Sequence, residues 1–151
     1  MAMDRQGLLA FLRKHRLCVQ ASVSAPGGPQ AAVVGYAVSD RLELIFDTLA
    51  SSRKAQNLCR DARIAIVVWD GEQTLQLEGL ADEPSGEHLR RLKQLYLSAF
   101  PDGVERESWP GISYWRVRPH WARFSDFGPG GAIVEFDESA LGVTEPESAR
   151  G

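Results

Sequence analysis

The sequence predicts a mainly β protein, a closed or partly closed antiparallel barrel with helices at its edges. Three observations lead there. About eight segments carry strand patterning and three carry helical periodicity. The strands follow one another through hairpin-type turns instead of alternating with helices, which argues against a doubly wound parallel sheet. A length of 151 residues suits one core of about 100–200 residues.

Asp4 can cap a first helix running to about His15, with Leu8, Leu9 and Leu12 on one face. Leu17 to Val23 reads as a strand, ended by the turn cluster Ala25-Pro26-Gly27-Gly28-Pro29. Gln30 to Val38 is a second strand. Ser39-Asp40 turns it into a third, where Leu42, Leu44 and Phe46 alternate with Arg41, Glu43 and Ile45. A short helix capped by Ser51 or Ser52 then carries Ala55, Leu58 and Cys59 inward. Ile64 to Trp69 is continuously apolar, the mark of a strand buried on both faces, with Trp69 in the core. Asp70-Gly71 makes a hairpin turn into a strand where Leu75 and Leu77 alternate with Thr74, Gln76 and Glu78. The longest helix starts at Pro84-Ser85, aligns Leu89, Leu92, Tyr96 and Ala99, and stops at Pro101-Asp102-Gly103. Two strands follow, Ile112 to Arg118 and Trp121 to Phe127, then a turn at 128–131 and a last strand from Ala132 to Phe136. The division is one domain over 1–136 and a polar, loosely held tail over 137–151.

A net charge of −3 offers no broad basic surface, so neither nucleic acid nor membrane is expected as a partner. Any anion site has to be local. No stretch reaches the ~20 apolar residues of a membrane helix, and the N-terminus lacks a signal-peptide core, so a cytoplasmic location is expected. Cys18 and Cys59 read as core residues, not nucleophiles. His15, His88 and His120 fall in three different elements without ligand spacing, and no metal site is expected.

One segment breaks a local rule. The short helix opens with Arg53 and Lys54, although a helix N-terminus carries partial positive charge and free N–H groups. A phosphate at that end removes the conflict: it accepts from the backbone N–H groups and the Ser51 or Ser52 hydroxyl, with Arg53 and Lys54 supplying charge. If the helix instead begins near Thr48, both cations lie mid-helix on a solvated face.

The stretch Phe46-Asp47-Thr48-Leu49-Ala50-Ser51-Ser52-Arg53-Lys54, a strand followed by T-x-x-x-S-R-K and a short helix, resembles the flavin-phosphate segment of the pyridoxamine 5'-phosphate oxidase family. Leu75-Gln76-Leu77-Glu78-Gly79 resembles the family's next strand, and Tyr114-Trp115-Arg116-Val117 with Trp121-Ala122-Arg123-Phe124 resemble its C-terminal aromatic strand. The resemblance implies a split β-barrel, a homodimer, and FMN bound between subunits. It implies cofactor contacts at Thr48, Ser52, Arg53 and Lys54, at Val33 and Val34, at Thr74 and Gln76, and at Trp115. A deazaflavin is the alternative cofactor.

Two departures bear on activity. The oxidase proper has an arginine and a lysine on the strand matching Gln30 to Val38, whereas this chain offers Ala31-Ala32-Val33-Val34-Gly35. The oxidase's C-terminal arginine–histidine substrate signature is also missing, the nearest stretch being Arg123-Phe124-Ser125-Asp126-Phe127. The resemblance therefore implies an FMN-dependent oxidoreductase of unknown substrate. A non-catalytic flavin- or haem-binding stress protein on the same fold is the alternative. Flavin chemistry requires no dedicated acid or base residue, and none is singled out. Arg116, Arg118 and Arg123 are the residues from which a substrate clamp could be built.

Overall fold

Eight strands pair antiparallel throughout and form one curled sheet, with helices packed at its edges. The computed structural model describes residues 3–143. In chain order the elements are α1 (Arg5–Lys14), β1 (Leu17–Val23), β2 (Pro29–Gly35), β3 (Ala37–Val38), β4 (Leu44–Leu49), α2 (Arg53–Arg60), β5 (Arg63–Asp70), β6 (Gln73–Asp82), α3 (Gly86–Ala99), α4 (Gly103–Arg106), β7 (Ile112–Asp126), β8 (Ile133–Phe136) and α5 (Glu138–Leu141). The strand order is β2-β1-β5-β6-β7-β4-β3, with β8 on β7. β2 and β3 stand at opposite ends of this path, yet only Tyr36 separates them in sequence. The sheet must therefore curl round on itself, and the split barrel follows.

Tyr36 is the pivot of that switch. Its backbone N–H donates to Arg16 O at 2.9 Å and its hydroxyl to Leu12 O at 2.6 Å, so α1 holds the break in place. The expected single strand from Gln30 to Val38 is thus two strands on two edges. The third strand also begins later than its alternation suggests. Leu42 takes a left-handed φ of 59° in the turn after Ser39, and residues 42 to 46 are all buried.

The main core fills the curl with Phe46, Ile66, Val68, Leu75 and Trp115, closed by Leu8, Phe11 and Leu12 of α1 and by Leu141. Phe11, not Leu9, completes the buried face of α1. A second cluster packs Leu92 and Tyr96 of α3 against Ile45 and Tyr114 on the other face of the sheet.

The two C-terminal strands expected around Pro119 are one continuous strand, β7. A bulge makes this possible: Gly79 pairs with Pro119 and Glu78 with Trp121, leaving His120 as the extra residue. Pro119 therefore sits where a ladder bond is already interrupted. A Cβ on Gly79 would lie 2.5 Å from Arg118 O, so only glycine allows this close pairing.

β5 is not buried on both faces. Ile64, Ile66 and Val68 point inward, while Ala65, Val67 and Trp69 face outward, and Trp69 is 54% exposed instead of lying in the core. Cys59 is likewise exposed; Asn57 takes the inward place on α2 beside Ala55 and Leu58. The short α4 and α5 were not foreseen from sequence. Residues 144–151 of the expected tail lie outside the described residues. Among the described residues, no helix is long and apolar enough to cross a membrane.

Candidate functional site

The site is built where β4 runs into α2. Ser113 Oγ donates to Thr48 O at 2.7 Å, fixing the end of β4 against β7. The Thr48 and Ser52 hydroxyl oxygens lie 3.0 Å apart. Ser52 is the N-cap of α2 and accepts from Ala55 N at 3.2 Å. Arg53 and Lys54 are therefore the first two helical residues, which decides against a helix starting near Thr48. No acidic residue stands in this first turn, so the dipole and both cations all favour an anion. Among the described residues, neither Arg53 nor Lys54 makes an ion pair.

The neighbouring carboxylate is taken up elsewhere. Asp47 accepts from Tyr96 Oη at 2.9 Å and from Arg106 Nε at 2.8 Å, on the α3 side of the sheet. Burial, together with the Asp47 charge, pushes the Tyr96 phenol up to about 12.

The start of α2 faces a cleft of about 510 Å³ lined by Arg53, Lys54, Gln20, Ser22, Gln30, Ala31 and Ala32. None of these is acidic. Buried Asn57 ties α2 to the strands: its Nδ2 donates to Ser22 Oγ at 3.1 Å and lies 2.7 Å from the Gln30 amide. The Gln30 amide sits between Asn57 and the Arg53 guanidinium, and with its oxygen turned toward Arg53 it accepts from Nε at 3.1 Å. Gln20 is 2% exposed, and neither terminal amide atom has a partner.

Thr48, Ser52, Arg53 and Lys54, which the resemblance implies as cofactor contacts, lie together at the start of α2. The other expected residues are dispersed within one subunit. Val33 and Val34 alternate, Val33 outward at 63% exposure and Val34 packed on the core. Thr74 and Gln76 lie on the outer face of β6, Gln76 opposite Val67 on β5 and Arg123 on β7. Trp115, which the resemblance implies as a cofactor contact, is 3% exposed inside the core of the subunit. Its Nε1 donates to Ser113 Oγ at 3.1 Å, and so it supports Thr48 from behind.

All three candidate clamp arginines are already engaged. Arg116 donates to Asp82 through Nε at 2.9 Å and its terminal nitrogen at 2.6 Å, and lies 3.4 Å from buried Glu43. Arg118 lies 3.5 Å from Asp82, and Arg123 pairs with Glu135. Sequence reasoning missed Gln20, Ser22 and Gln30 as cleft residues. Their trace was present: Gln20 and Ser22 occupy inward positions of the otherwise apolar Leu17–Val23 strand.

The comparisons with known proteins bear on the family and the fold. The family model for pyridoxamine 5'-phosphate oxidase matches residues 5–126. No curated protein matches the chain in sequence. Among solved structures, the chain resembles a heme binding protein from Mycobacterium smegmatis with a TM-score of 0.76 at 20% identity, over 89% of this chain and 58% of that one. It thus spans little more than half the length of that protein. It resembles a pyridoxamine 5'-phosphate oxidase-related, FMN binding protein from Nostoc punctiforme with a TM-score of 0.67 at 14% identity, over 91% and 92% of the two chains. HutZ, a heme storage protein from Vibrio cholerae, gives 0.67 at 14% identity, over 79% and 91%. At these identities the likeness is one of fold.

Proposed function

The chain belongs to the pyridoxamine 5'-phosphate oxidase family, and from that premise we propose that it is a homodimeric FMN-binding oxidoreductase. One observation carries the reading: two cations that make no ion pair among the described residues open a helix capped by Ser52, facing a cleft whose lining holds no carboxylate. Arg53 and Lys54 neutralise the cofactor phosphate, the free N–H groups of α2 donate to it, and the Ser52 hydroxyl, beside Thr48, adds a polar contact. Asn57 ties α2 to Ser22, and Gln30, with its oxygen toward Arg53, keeps that side chain oriented toward the cleft. When bound, the flavin supplies the hydride or electron chemistry itself.

A second subunit is part of this reading. Val33, Val67, Trp69 and Leu80 leave an apolar outer face on β2, β5 and β6, and such a face suits burial against another copy. Residues on that face, Val33, Thr74 and Gln76, meet the ring from one subunit while α2 holds the phosphate. Vitamin B6 oxidation is disfavoured, because the oxidase's strand cations are replaced by Ala31 to Gly35 and Arg116 is committed to Asp82 and Glu43.

The heme-binding neighbours favour a second reading, passive binding of haem or flavin on the same fold. The absorption spectrum of the purified protein, with mass analysis of whatever denaturation releases, separates FMN, deazaflavin and haem. Anaerobic addition of nicotinamide donors then decides catalysis: bleaching supports the oxidoreductase, and a flavin that no donor reduces supports the passive binder.

A further inference from the structure

Gln20 has the surroundings of a core residue and the chemistry of a binding residue. It lies in the middle of β1, it is nine-tenths buried and more, and both of its amide atoms lack partners. Buried amides are almost always paired. Opposite it in register stands Ala32, whose methyl group leaves open the space that forms the cleft. Two pairs further along, on the same face, Ser22 and Gln30 extend the same polar floor toward Asn57. Every other polar group on this floor has a neighbour; Gln20 alone among them does not.

We propose that Gln20 is the specificity-determining residue of this cleft, selecting phosphate esters of polyhydroxy chains over phosphates with apolar attachments. The inference rests on the cleft being a phosphate site and concerns the part of the ligand beyond the phosphate. A phosphate dianion only accepts hydrogen bonds, and Arg53, Lys54 and the α2 N–H groups are there to donate them. Gln20 Nε2 needs an acceptor and Oε1 needs a donor. A hydroxyl group meets both needs, and a run of hydroxyls meets them at once. The terminal torsion of glutamine is broad, so the amide turns to meet the ligand at little cost. A cation here would bind any phosphate. A neutral amide discriminates by what the phosphate carries.

Calorimetric titration of FMN, ribitol 5-phosphate and phenyl phosphate into the wild type and Gln20→Leu tests this. The variant should bind FMN and ribitol 5-phosphate roughly tenfold more weakly, about 1.4 kcal/mol, with phenyl phosphate unchanged and thermal stability kept. Gln20→Met serves the same purpose if the leucine variant does not fold. Equal binding of ribitol 5-phosphate by wild type and variant overturns the inference, as does a wild type that binds no ribitol 5-phosphate. A wild type that ignores FMN but keeps the Gln20-dependent preference defeats the flavin reading and upholds this one.

Discussion

Thr48 Oγ1 lies 3.0 Å from Ser52 Oγ, across the turn that converts β4 into α2. This contact joins the end of a strand to the cap of a helix, so the cleft-facing end of α2 inherits the rigidity of the sheet. The position of Arg53 and Lys54 follows directly from it.

Replacing Arg53 and Lys54 together with alanine should weaken FMN by roughly 3 kcal/mol or more, at ~1.5–3 kcal/mol per charge-assisted contact. Fluorescence titration reads this as a loss of more than about a hundredfold. Unchanged affinity in a folded variant would mean that the cations hold nothing.

Ser52→Ala removes the cap of α2. The expected cost is about 1 kcal/mol of stability, measured by urea unfolding, together with weaker FMN binding. Ser51→Ala, at an exposed position that caps nothing, should leave stability within about 0.5 kcal/mol. Equal effects from the two serines would contradict the assignment of the cap.

Arg116→Met leaves Glu43 buried with one cation fewer and Asp82 without its bidentate partner. Removing one partner of a buried pair costs ~3–5 kcal/mol, and chemical denaturation should show a loss of that order. A loss below about 1 kcal/mol would mean that the cluster behaves as a surface pair.

Alkaline pH should destabilise the fold before it destabilises any exposed ion pair. Burial pushes the Cys18 thiol from 9.0 up to about 12, and burial with the Asp47 charge pushes Tyr96 from 10.0 up to about 12. Both groups hold their proton more tightly when folded. Their contribution is complete below the unfolded values and is lost as pH rises through about 9 to 12. Urea midpoints should fall across that window, and Cys18→Ala should flatten its lower part. A midpoint constant to pH 11 would contradict this.

Much of the fold was legible because its cues are local. Asp4 does cap α1, β1 runs from Leu17 to Val23 as its alternation suggests, and Ser52 caps α2. What was not legible depends on partners distant in sequence. The break at Tyr36 is held by the carbonyls of Leu12 in α1 and of Arg16 just after it, and the continuity of β7 through Pro119 requires a bulge at His120 opposite Gly79 of β6. Four of the expected site residues, Thr48, Ser52, Arg53 and Lys54, fall in one short strand-to-helix segment, and the resemblance of that segment made them legible. The burial of Trp115 was not legible, because an aromatic beside arginines looks the same in sequence whether it faces a ligand or the core. The uncovered side of β5 looked like a doubly buried strand because an apolar run does not say what covers it.

That uncovered side should carry the dimer. Light scattering should give twice the 16.7 kDa chain mass. Val67→Asp should yield a monomer that retains its fold and binds FMN poorly. A wild-type monomer with flavin bound would contradict the shared site.

The central claim, that α2 holds a cofactor phosphate, is tested most directly by titrating FMN and riboflavin in parallel into the apoprotein. The two differ only in that phosphate. Two charge-assisted contacts at ~1.5–3 kcal/mol each predict FMN bound at least about a hundredfold more tightly. Equal affinities for FMN and riboflavin would contradict it.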